Sequence, residues 1–96
     1  MTKYEIMFIV SPTLEEKAIK DLAKEFEKIL TGKGAKIVKT TDWGMRELAY
    51  EVKKHKTGHY FIYNIEAKDA KPIDEFRRLA LINENMLRHI IIKEEE

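Results

Sequence analysis

Alternation opens the chain. From Lys3 to Val10, Tyr4, Ile6, Phe8 and Val10 share one face, and Lys3, Glu5, Met7 and Ile9 share the other. A period of two predicts a strand with one fully apolar side. Ser11-Pro12-Thr13 ends it. Thr13-Leu14-Glu15-Glu16 has the form of a capping box, with Thr13 as N-cap, Glu16 reaching back, and acids in the first turn to suit the helix dipole. The period then changes. Ile19, Leu22, Ala23, Phe26, Ile29 and Leu30 recur at helical steps with charged residues between them. An amphipathic helix is predicted to near Thr31, stopped in left-handed backbone by Gly32 and Gly34.

Extended patterning returns at Ala35, through Ile37 and Val38 to Trp43. Gly44 interrupts it, which predicts a bulge or bend. The pattern resumes from Met45 to Val52, and Lys53 to Gly58 is expected to be a turn. A third strand should run from His59 to Glu66, with Phe61, Tyr63 and Ile65 facing the core and Tyr60, Ile62 and Asn64 facing away. Both strands are long, so their hairpin is expected to project past the body of the sheet. Asp69-Ala70-Lys71-Pro72 opens a second helix, with proline in the permitted first turn. Ile73, Phe76, Ala80 and Ile82 are its inward stripe, and Leu79 and Leu81 lie off it. After Asn83-Glu84-Asn85, Met86 to Lys93 reads as a last strand whose Ile90-Ile91-Ile92 run predicts burial on both faces.

The resulting order is β-α-β-β-α-β. It predicts an α+β, ferredoxin-like domain over residues 1–96: a four-stranded antiparallel sheet with both helices on one face. Residues 1–2 and 94–96 are expected to fray.

Composition narrows the chemistry. The chain has 96 residues, 44% of them hydrophobic, and no cysteine. That excludes disulfides, thiolate metal sites and thiol nucleophiles. No signal peptide or spanning segment is evident, so a soluble, cytoplasmic protein is expected. A surface rich in Lys and Glu, with no glutamine, fits a thermophile. A net charge of +1 with 36% charged residues argues against a stand-alone, charge-driven nucleic-acid binder, but it leaves room for a local basic patch.

Catalytic candidates are few. His55 and His59 are separated by a turn and lack a third ligand, so no metal site and no cofactor are expected. His89 lies among branched apolar residues and reads as a partly buried structural histidine. Phosphate-hydrolysing enzymes with this fold need a glycine-rich or arginine-bearing loop after the first strand. Val10-Ser11-Pro12-Thr13 has neither. Base stacking on the sheet would fall to His59 and Phe61, but Phe61 belongs to the core face. The protein is therefore not expected to be an enzyme or to bind a small-molecule substrate.

Binding residues are more evident. Lys53, Lys54, His55 and Lys56 cluster at the hairpin tip. Strand pairing is expected to bring Lys3, Arg88 and Lys93 onto neighbouring strand ends, and Arg46 and Arg88 can make planar two-bond contacts with phosphate. Trp43, Met45, Leu48 and Tyr50, with Tyr60, offer an exposed apolar edge suited to a protein partner. Such a low total charge gives weak, salt-sensitive RNA binding unless a second protein joins.

The chain resembles the bacterial small-subunit ribosomal protein S6 family. The carrying residues are Tyr4-Glu5, the run from Gly44 to Tyr50, Gly58-His59-Tyr60, and the run from Asn83 to His89. The resemblance extends over essentially the whole chain. It implies a ferredoxin-like structural protein that binds the central domain of small-subunit rRNA jointly with a small basic ribosomal protein, the eighteenth of that subunit. Arg46, Tyr50 and Arg88 match the family's hairpin and last-strand signature. On this reading Lys3, Arg46, Lys53, Lys54, His55, Lys56, Arg88 and Lys93 are the expected RNA contacts, Trp43, Met45, Leu48, Tyr50 and Tyr60 the partner contacts, and the free chain a monomer. Ala80 and Leu81 depart from the family pattern, where a large apolar and a basic residue are usual, and the acidic tail is reduced to Glu94-Glu95-Glu96. The competing reading is a self-associating ferredoxin-like module without RNA.

Overall fold

The computed structural model of the protein describes residues 2–94; the fraying expected at Met1, Glu95 and Glu96 lies outside them. The elements are β1 (Thr2–Val10), α1 (Glu16–Gly32), β2 (Lys36–Val52), β3 (His55–Ala67), α2 (Lys71–Ile82) and β4 (Met86–Glu94). The strands form one antiparallel sheet in the order β2-β3-β1-β4. Ile6, Phe8 and Val10 of β1 and Phe61, Tyr63 and Ile65 of β3 share one core with Phe26 and Leu30 of α1 and Ile73, Phe76 and Ala80 of α2. Both helices thus cover the same face, as the ferredoxin-like reading requires.

Rings anchor that core. Phe8 lies 5.2 Å from Phe61, 5.2 Å from Tyr63 and 5.8 Å from Phe76 between centroids. The Tyr63 hydroxyl, buried at 2% exposure, donates to the Ala23 carbonyl at 2.9 Å and ties β3 to α1. A buried phenol must find such an acceptor.

Several local expectations change. The capping box does not form, because the Thr13 hydroxyl pairs with Ser11 Oγ at 2.8 Å. The helix begins later, with Glu15 at the N-cap and no side-chain cap. At its other end, Ala35 N–H donates to the Leu30 carbonyl and Gly34 N–H to that of Thr31. This is the paired pattern of a Schellman stop, with Gly34 at φ +97°. Gly32 is the last helical residue and needs no positive φ.

The turn predicted over Lys53–Gly58 is shorter. Val52 pairs with His55, so only Lys53 and Lys54 turn the chain, at φ +48° and +66°. Positive φ at both central residues matches the twist of a two-residue hairpin. Ile82 faces solvent like Leu81, while Leu79 packs against the core. The isoleucine run is not buried on both faces. Ile91 packs toward the helices, whereas Ile90 and Ile92 are 41% and 52% exposed on the side that no helix covers.

Candidate nucleic-acid and protein interface

The uncovered face of the sheet is shaped by the β2–β3 hairpin. Its pairing with β3 slips between Asp42 and Gly44, with Gly44 at φ +77°, as the interruption in the sequence predicted. Of the three slips in this pairing, which also include one between Ile37 and Lys39, the one nearest the tip is the largest. Glu47 pairs with Thr57 and Val52 with His55, so Leu48–Glu51 stand opposite Lys56 alone. The surplus backbone bows out of the ladder.

That bow does not project freely. Leu48, Tyr50 and Val52 line a cleft of about 270 Å³ with Ile9, Tyr60, Arg88 and Ile90. The Arg88 guanidinium sits 5.2 Å above the Tyr50 ring. At the tip, Lys53 Nζ donates to the Met86 carbonyl at 3.2 Å. The hairpin runs past the end of β1, whose last partner is His59, but it folds back across the open face toward β4. The hairpin therefore extends past the body of the sheet, as expected, but does not stand clear of it: Leu48 and Val52 are half-buried at the cleft, while Tyr50 stays exposed.

A second stack lies beside the cleft. Trp43 and Tyr60 are nearly parallel at 6.3 Å, and the Arg46 guanidinium is 4.9 Å from the Trp43 ring. Both arginines therefore rest on aromatic faces. Such a stack orients the planar fork while its N–H edges stay available to a carboxylate or phosphate.

The structure divides the expected binding residues. Arg46, Lys53, Lys54, His55, Lys56 and Arg88 gather at the hairpin end of the sheet. Lys3 and Lys93 lie at the opposite end, where Lys3 is opposite Glu66 and Glu94, and Lys93 opposite Tyr4. Arg88 pairs with Ile9, and the five steps from Arg88 to Lys93 put about 17 Å between them. Lys93 is thus kept from Arg88 by its spacing along β4, and Lys3 by the register of β4 on β1. Of the apolar set, Trp43, Leu48, Tyr50 and Tyr60 face the open side. Met45 pairs with His59 and lies on the helix side, although still exposed.

The histidines separate similarly. His59 is buried and stacks on Phe61 at 4.6 Å; its Nε2–H donates to Asp42 Oδ1 at 2.5 Å. His55 is half-buried at the turn. His89 faces the core edge-on to Phe76, and burial, then the nearby Arg77 charge, holds its pKa below the ordinary value. Among the described residues, no group of three or more His, Cys, Asp or Glu could hold a metal ion. Sequence reasoning missed Ile9, Ile90 and Val52 as cleft walls and Asp42 as the partner of His59. Alternation put Ile9 on the second face of β1, but only the tertiary structure sets it in one cleft with Leu48, Tyr50 and Val52.

Residues 3–93 match the sequence model of the family described as Ribosomal protein S6. The chain belongs to the ribosomal protein S6 family. Among solved structures, it is similar to a 30S ribosomal protein S6 from Thermotoga maritima, with 28% identity and a TM-score of 0.91 over 97% of this chain and 87% of that one. An Arabidopsis thaliana protein superposes with a TM-score of 0.58 over 100% of this chain and 95% of that one, at 8% identity. That second likeness shows the fold alone. The S6 family membership and the ferredoxin-like topology agree with each other over nearly the whole chain.

Proposed function

We propose that this S6-family protein is a non-catalytic component of the small ribosomal subunit in the cytoplasm, binding the central domain of small-subunit rRNA jointly with a small basic ribosomal protein, the eighteenth of the subunit. Membership of the S6 family over residues 3–93 carries the reading. The geometry supports a division of labour. Lys54 and Lys56 are exposed at the hairpin tip, and Lys53, His55, Arg46 and Arg88 lie near them. These groups would meet phosphates. The open face, with Trp43, Leu48, Tyr50 and Tyr60 around an apolar cleft, would take the protein partner. Met45 would extend that contact around the hairpin edge. Lys3 and Lys93, at the far end of the sheet and on opposite faces of it, would each meet a phosphate of its own.

A net charge of +1 explains why two proteins are needed: released counterions from one chain of this charge give little affinity by themselves. The test is binding to a transcript of the rRNA central domain, with and without the basic partner, over a salt series. We expect tight binding only with the partner present. Arg88→Ala should flatten the salt slope of the ternary complex by about one unit. Tight binding by this chain alone, no binding with the partner, or a concentration-dependent dimer that excludes RNA would each overturn the reading.

A further inference from the structure

Trp43 and Arg46 are three positions apart. On a regular strand an odd spacing puts two side chains on opposite faces. Here both stand on the open face, with the guanidinium over the indole. The bulge between Asp42 and Gly44 is the cause. Asp42 pairs with Phe61, yet Gly44 already pairs with Tyr60. One surplus residue inverts the phase of everything that follows. Met45 goes to the helix side opposite His59, and Arg46 to the open side opposite Gly58.

The bulge is held from both ends by one oxygen. Asp42 Oδ1 accepts the Gly44 N–H at 2.8 Å and the His59 Nε2–H at 2.5 Å. An ionised carboxylate only accepts, so Nε2 carries the proton. His59 is 8% exposed, and its ring lies on Phe61 at 21°. The imidazole is fixed by the core, the carboxylate by the imidazole, and the bulged amide by the carboxylate.

We propose that Asp42 and His59 are positioning residues of the binding face: as a cross-strand pin they lock the Gly44 bulge in the register that presents Arg46 beside Trp43. The proposal rests on the reading of Trp43 and Arg46 as interface residues. Its test separates the two. Trp43 is the one tryptophan in the chain, so its emission and near-ultraviolet circular dichroism report the stack in the free protein. Asp42→Ala removes the shared acceptor, and His59→Phe keeps a ring on Phe61 without the N–H. Asp42→Asn retains an oxygen that can accept both bonds. Gly44→Ala attacks the bulge through its φ of +77° with no steric contact within 4 Å.

The Asp42→Ala, His59→Phe and Gly44→Ala variants should share a changed Trp43 signature and bind the rRNA-partner complex about tenfold more weakly or worse, the loss expected when an interface anchor is misplaced. Asp42→Asn should restore the signature and most of the affinity. Urea unfolding of each variant confirms that the fold persists. An unchanged Trp43 signature in both Asp42→Ala and His59→Phe would overturn the pin. A changed signature with undiminished binding would instead overturn its service to the interface, and with it the assignment of Trp43 and Arg46 to that surface.

Discussion

Gly58 marks the place where the hairpin leaves the body of the sheet, and its missing side chain is a steric requirement. A Cβ built there would lie 2.3 Å from Ile9 Cγ2, 3.4 Å from the Val10 carbonyl oxygen and 3.6 Å from Leu87 Cδ1. Carbon atoms rest at about 3.5–4.0 Å, so the first contact is more than an ångström too short. Ile9 is buried, and its Cγ2 branches directly from Cβ, where χ1 is stiff. The contact is relieved only by moving backbone or driving Ile9 off its rotamer. Overpacking of this kind costs about 1–3 kcal/mol. Against it, alanine restricts the unfolded chain and returns about 0.4–1 kcal/mol. Gly58→Ala should therefore destabilise the protein by about 1–2 kcal/mol, read as a lower urea midpoint at unchanged m-value. Ile9→Ala alone should also destabilise, by about 2 kcal/mol. Combined, the two should cost less than their sum by about 1 kcal/mol or more, because an alanine in place of Ile9 has no Cγ2 for the new methyl to meet. Additivity within about 0.5 kcal/mol, or a neutral Gly58→Ala, would refute the close approach.

Three further outcomes are expected. Burial, then the charge and hydrogen-bonding influence of Glu27, raises the Tyr63 pKa far above its ordinary value. The unfolded phenol ionises near pH 10 and the folded one does not, so this stabilisation is complete below about pH 10 and falls above it by about 1.4 kcal/mol per pH unit. Tyr63→Phe should cost about 1 kcal/mol at pH 7 for its lost hydrogen bond, and show a shallower alkaline decline in urea titrations; an unchanged decline would contradict the burial argument. His89 has a lowered folded pKa, so as pH drops below about 6.5 the unfolded chain takes a proton first and stability falls until the folded-state pKa is passed. His89→Leu should lessen the loss of Tm between about pH 7.5 and 5; equal losses would refute it. Lys53→Ala removes the bond to the Met86 carbonyl, worth about 0.5 kcal/mol for an exposed donor, and should speed amide exchange in the hairpin end without changing the global midpoint; an unchanged exchange rate would show that the tip is not fastened there.

The fold was legible because its signals are local. Phe8, Phe26, Phe61 and Phe76 sit on apolar stripes of period two or three-and-four, and each stripe turned toward the common core. The capping box failed for an equally local reason: the Thr13 hydroxyl pairs with the Ser11 hydroxyl in place of a backbone N–H of the first turn. The isoleucine run failed because a branched apolar sequence reads alike whether one face or two are covered. The candidate site was legible by residue type only. Arg46, Tyr50, Trp43 and Arg88 could be named, but their two cation–aromatic stacks depend on which strand faces which.

By itself, then, the sequence determined the order of elements, the core faces of β1, α1 and β3, the bulge at Gly44 and the ribosomal family, since periodicity, glycine and short-range motifs act within a few residues. Tertiary structure alone decided that Lys3 lies far from Arg88, that Met45 turns away from Trp43, and that Leu48 and Val52 line a cleft with Ile9. Those outcomes are set by register. At Gly44 a shift of one residue reverses the side chains that follow, and that shift is held by a hydrogen bond between side chains that are 17 positions apart.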